Sequence, residues 1–139
     1  MPMNSTNLIL QEQMKSIRAN CPNWKCWIHN KDYLILEGDI QPTIVSPHYK
    51  ARISYQPGLN PEVNIIEPEL KLYPGKNSLP HVFSKSGDPL CLFFFHEFDN
   101  KKDHLVETVI VWITWWLYFY EIWLQTGEWV ATGTHPGRW

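Results

Sequence analysis

Hydrophobic positions near the start of the chain recur at helical spacing. Leu10, Met14, Ile17 and Cys21 follow one another at intervals of four, three and four, which puts them on one face of a helix. Ser5 or Thr6 can cap it, because a hydroxyl there accepts an otherwise orphan backbone N–H. Pro22 ends it by disfavouring helical geometry in the residue before it. The period then shortens to two. Trp24–His29 and Tyr33–Leu36 are rich in aromatic and branched residues and predict two strands, with Asn30-Lys31-Asp32 as the turn between them. Within Ser46–Tyr55, Tyr49, Ala51, Ile53 and Tyr55 alternate with Lys50, Arg52 and Ser54, as in a half-buried strand. Pro57-Gly58 marks a turn, and Val63–Ile66 a further short strand. From Pro68 to Pro89, punctuated by Pro74, Gly75, Pro80 and Gly87, the chain reads mostly as loop.

The last third returns to helix. Leu105 to Gln125 has almost no polar face; Asn100 or Asp103 can cap it, and Thr126-Gly127 stops it, the glycine accepting positive φ. The tail Glu128–Trp139 reads as irregular. Helix, consecutive strands, helix is the order of an α+β domain, because strands adjacent in sequence usually pair antiparallel. With 139 residues and no linker or repeat, a single domain spanning 1–139 is expected.

Composition narrows the function. Hydrophobic residues make up 44% and charged residues 19%, which is too apolar for a disordered chain. A net charge of −2 supplies no basic excess for phosphate contacts, so no nucleic-acid partner is expected. Three cysteines, and a start without a basic-then-apolar leader, suggest a reducing, cytoplasmic setting. The one candidate membrane span is Leu105 to Leu124. Glu107 and Glu121 interrupt it, and the uncharged stretch Thr108 to Tyr120 is shorter than the ~18–20 residues a spanning helix needs. A buried helix is expected there, and no membrane partner.

No phosphate-binding glycine loop and no GxSxG elbow is present. Cys21 and Cys26 lack a second ligand pair, and His81, Cys91 and His96 match no structural zinc spacing, so neither metal nor cofactor is expected. Cys21 lies on the apolar face of the first helix and Cys26 in a Trp-Lys-Cys-Trp strand; both read as packing residues. Cys91 differs, following the turn Gly87-Asp88-Pro89 and preceding the apolar run Leu92–Phe95 that His96-Glu97 closes. On these residues alone a packed cysteine and a reactive one both stay open.

The order of motifs weighs more than any one of them. Pro47-His48-Tyr49, Ile53 and Tyr55, and Asn60-Pro61-Glu62-Val63 resemble the paired central strands of ubiquitin-conjugating enzymes. Leu79 to Phe93 resembles their active-site stretch, with His81, Gly87 and Leu90-Cys91-Leu92 at the matching positions. A narrower resemblance is to the standalone conjugating-enzyme-like proteins of short type II CBASS anti-phage operons. It is carried by Gln41-Pro42-Thr43, Pro80-His81, Gly87 to Leu92, Trp112 to Leu117, Phe119 to Leu124, Thr126 to Trp129 and His135-Pro136, and runs from about Asp39 to Gly137.

The resemblance implies a UBC-like α+β fold: an N-terminal helix, an antiparallel β-meander, an active-site cysteine loop and a C-terminal aromatic-rich helix. It implies Cys91 as a nucleophile that forms a thioester with the C-terminal tail of a neighbouring CD-NTase, a cGAS-like nucleotidyltransferase. The acyl group then passes to a lysine amine. His81 and His96 are the residues placed to assist. The asparagine of the eukaryotic active-site tripeptide falls at Phe83, and Phe98 stands where the bacterial branch tends to have tryptophan. With 139 residues leaving no room for an adenylation domain, activation by a separate enzyme, or a donor pre-assembled on the partner, is implied. Two other readings compete. One is an inactive module that scaffolds the CD-NTase through the aromatic surface of the last helix. The other is a membrane-associated or small-ligand protein. Neither oligomeric state nor the acceptor lysine is legible.

Overall fold

The computed structural model describes residues 5–80 and 104–130. Its elements run in chain order α1 (Ser5–Asn20), β1 (Lys25–His29), β2 (Tyr33–Ile40), β3 (Tyr49–Tyr55), β4 (Glu62–Glu67) and α2 (Val109–Thr126). The four strands form one sheet in the order β1-β2-β3-β4, antiparallel throughout. This is the α+β meander that the alternation of side chains predicts.

α1 buries Leu10, Met14 and Ile17. It ends before Pro22, with the Cys21 N–H donating to Ile17 O at 2.7 Å. The helix already contains Ser5 and Thr6, so neither lies ahead of it as a cap. β1 and β2 pair from Lys25↔Glu37 to His29↔Tyr33 across the expected turn, where Asn30 and Lys31 hold positive φ. Asparagine tolerates that region better than most side chains.

The largest departures from the sequence expectation are at three boundaries. β2 runs on to Ile40 through Gly38 and Asp39, residues of low strand preference. Tertiary packing overrides that preference: the Trp24 indole lies against Gly38, where a Cβ would fall 1.9 Å from Trp24 Cδ2. β3 begins at Tyr49 and not at Ser46. The Ser46 N–H is turned back to Thr43 O at 3.0 Å, and Pro47 has no N–H to give a ladder. α2 begins at Val109, four residues later than Leu105. Residues 105–108 form turns in which the Thr108 N–H and hydroxyl both donate to His104 O, at 3.1 and 2.8 Å. The helix is preceded by Thr108, whose side chain makes no capping bond; Asn100 and Asp103 lie outside the described residues.

One core joins the elements. Leu34, Leu36 and Ile40 of β2, Ala51 and Ile53 of β3 and Val63 of β4 meet the α1 stripe and Val109, Ile113, Trp116 and Leu117 of α2. Burial alternates along β3, so Lys50 and Arg52 stand on the opposite, exposed face. There Arg52 pairs with Glu37, and Lys50 reaches Glu67 at 3.9 Å. α2 ends as expected at Gly127, whose φ of 79° is left-handed and whose N–H returns to Trp123 O. A Cβ at Gly127 would also come within 2.8 Å of the Tyr73 ring, so both backbone and space require glycine. No helix among the described residues is long and apolar enough to cross a membrane.

Candidate functional site

The residues singled out for chemistry, Cys91, His81 and His96, lie outside the described residues, as do Gly87, Phe83, Phe98 and His135-Pro136. The chain on either side of the 81–103 segment is held by the core. Leu79 is buried before it and Leu105 after it. The Leu105 N–H donates to Oε1 of Gln13 at 2.9 Å, and that side chain is itself buried on α1. Gln13 was not expected to matter. The available signal was its spacing, three after Leu10 and four before Ile17, which sets a polar residue on the apolar face.

The other two cysteines are placed. Cys26 is half-buried on β1 and packs against the core, as expected. Cys21 is half-buried at the end of α1, not fully enclosed, and burial pushes its thiol pKa up. A thiol shifted that way presents less thiolate near neutrality and is a poorer nucleophile.

A polar cluster joins two of the motif pieces. Glu121, in the Phe119–Leu124 stretch of α2, accepts the Ser46 hydroxyl at Oε1 and the Tyr49 hydroxyl at Oε2, each at 2.7 Å. The Ser46 hydroxyl oxygen also accepts the Thr43 N–H at 3.1 Å and lies 2.7 Å from the Thr43 hydroxyl. Gln41 Nε2 donates to the carbonyls of Ile44 and Ser46, at 3.3 and 2.9 Å. The β2–β3 loop is thus laced internally and then tied to α2 by a carboxylate. Burial comes first and the Glu121 carboxylate second in raising the Tyr49 pKa far above its ordinary value, so its proton stays in the bond. By residue type alone Glu121 reads as an interruption of an apolar run. A lone acid in such a helix needs partners, which was the signal available.

Beside this clamp is a cavity of about 410 Å³ lined by Ser46, Tyr49, Tyr120 and Glu121 with Lys71 and Leu124. Tyr120 is part of its lining, accepting the Lys71 N–H at 2.7 Å and meeting Tyr49 edge-on at 6.5 Å. The clamp's carboxylate oxygens are already engaged by hydroxyl donors, so its chemistry here is positioning.

The aromatic helix divides. Trp116, Tyr120 and Trp123 face the core, Trp116 stacking on Tyr120 at 5.6 Å. Trp112 and Phe119 are partly buried against it, while Trp115 and Tyr118 are exposed. Among known proteins, a family model described as the type II CBASS E2 protein fits residues 13–136. No curated protein matches the chain.

Proposed function

The chain belongs to the type II CBASS E2 protein family, and from that premise we propose that it is a cysteine acyl carrier whose nucleophile is Cys91. Membership assigns it a role in CBASS defence as an E2-like protein. The finer reading is that the Cys91 thiolate attacks the activated C-terminal carbonyl of the CD-NTase tail. The bond to the activating group breaks, and the acyl group is held as a thioester. A lysine amine then attacks the same carbonyl, the thiolate leaves, and the amine's proton passes to a base, giving an amide. An oxyanion develops at each attack and is lowered in energy by hydrogen-bond donors. His81 and His96 are the side chains assigned to that assistance, with the backbone N–H groups of Gly87–Cys91.

The observation that carries this reading is the extent of the family match, which runs through Leu90-Cys91-Leu92 and both ends of the clamp. The placement of the other cysteines adds support, since Cys26 packs on the core and Cys21 has its pKa raised by burial. The test is intact-mass analysis after co-expression with the operon's nucleotidyltransferase. Wild type is expected to carry a thiol-labile adduct, Cys91→Ala none, and Cys91→Ser at most a more stable oxyester. A wild-type adduct that persists undiminished in Cys91→Ala overturns the assignment.

A further inference from the structure

The outer face of α2 carries more apolar surface than packing requires. Val111, Trp115 and Tyr118 are all exposed, Trp115 at 48%. With half-buried Ile122 they follow one another at spacings of four, three and four, a stripe along the helix axis about 17 Å long at 1.5 Å per residue. Trp115 is held in place by stacking on Phe119 at 5.7 Å and by an edge contact with Tyr118 at 5.9 Å. Near its C-terminal end, Val45 lines the same cavity as Leu124 and Gln125. Val45 and its neighbour Ile44 are 89% and 94% exposed, the two most exposed large apolar residues described. The internal bonds of residues 41–46 and the tie to Glu121 hold that tip rigidly. A rigid tip of two bare aliphatic side chains contributes nothing to the core, and preorganised apolar groups of this kind favour binding.

Charge selects the occupant. Residues 104–130 contain Glu107 just before α2, Glu121 within it and Glu128 just after it, and no lysine or arginine. Glu107 and Glu128 are exposed. A second copy laid along the stripe sets acid against acid whether the helices run parallel or antiparallel. An anionic bilayer surface is repelled for the same reason. We propose that this face, with the Ile44-Val45 tip as its ledge, docks an amphipathic helix of a partner protein. That helix carries apolar residues at three- and four-residue spacing and lysine or arginine in its end turns.

The test uses the full chain and a fluorescein-labelled 18-residue helical peptide, with leucines on one face and lysines in its first and last turns. Binding is read by anisotropy with no acyl donor present, so it stands or falls separately from the thioester. Saturable binding is expected, about tenfold weaker for Trp115→Ala or Tyr118→Ala, and about tenfold weaker when the terminal lysines become glutamates. Should either aromatic variant lose its fold by circular dichroism, Ile44→Asp replaces it, with several-fold weakening expected. Equal binding of the lysine and glutamate peptides, or no effect of any variant, overturns the proposal. So does a dimer by sedimentation that Trp115→Ala dissolves, or binding to phosphatidylglycerol vesicles tighter than to the peptide.

Discussion

α1 and α2 each bury one stripe of apolar side chains, but only α1 turns a mostly polar face to solvent. Around α1, Gln11, Glu12, Lys15 and Arg18 are exposed opposite Leu10, Met14 and Ile17. Around α2, the exposed positions include Val111, Trp115 and Tyr118. The inner faces do the same work, so the difference lies outside. Packing accounts for the large apolar side chains described on α1 except Leu8, and leaves three of α2's exposed. Each helix also holds a polar residue that is matched by a distant partner: Gln13 by the Leu105 N–H, Glu121 by two hydroxyls.

The largest effect is expected from testing that division within α2 itself. Trp116 is fully buried and is stacked on Tyr120. Trp116→Ala is expected to cost about 3–5 kcal/mol, enough to remove much of a domain's stability. Trp115→Ala removes a half-exposed side chain and its ring contacts with Tyr118 and Phe119, about 1 kcal/mol. Guanidinium melts of both variants check this. Similar losses would make the outer face structural and erase the contrast between the helices.

Next in size is the clamp. Glu121→Gln keeps the shape but replaces a charged acceptor of two hydroxyls, with an expected loss of about 2 kcal/mol; Ser46→Ala is expected to lose about 1–2 kcal/mol. The double variant should cost less than the sum, because both changes act on the same bond. Strict additivity would mean that the loop and α2 are not coupled through this carboxylate.

The tyrosines add a pH signature to the same region. Burial pushes Tyr55 up to about 12, and burial, then Glu121, raises Tyr49 further. An unfolded tyrosine ionises near ~10. The folded chain therefore holds these protons more tightly than the unfolded one. The stabilisation is complete below about pH 10 and is lost as pH rises from there through the folded values. Melts between pH 8 and 12 should show a plateau and then a fall. Tyr49→Phe should flatten the fall, and an unchanged slope would place the effect elsewhere.

What was legible in the sequence follows the range of the interaction. The Leu10, Met14, Ile17 face, the alternation from Tyr49 to Tyr55 and the stop at Gly127 are all local patterns, and the structure carries each of them. Gly38 was not legible as strand, because the indole that covers it comes from Trp24, before β1. Glu121 read as an interruption because its partners lie 72 and 75 residues away. The resemblance did pick out Gln41-Pro42-Thr43 and Phe119–Leu124 as separate pieces, but spacing along a chain says nothing of their meeting in space. For the proposed catalytic residues the order of motifs is the whole of the argument, since Cys91, His81 and His96 lie outside the described residues.

The smallest effect tests α1's own polar residue and closes the contrast with Glu121. Gln13 carries no charge, and it accepts the Leu105 backbone N–H at 2.9 Å. Gln13→Ala leaves the Leu105 N–H without that acceptor, a cost of about 1 kcal/mol and at most about 2. Gln13→Glu restores an acceptor but introduces a charge at a buried position, and should be worse than alanine. Because only His104 separates Leu105 from the 81–103 segment, the sharper measurement is local. Amide hydrogen exchange at Leu105 and Val106 should accelerate in Gln13→Ala by more than the global loss of stability explains. Exchange that rises only in step with global stability would show that α1 merely packs, with no specific hold on the chain that leads into α2.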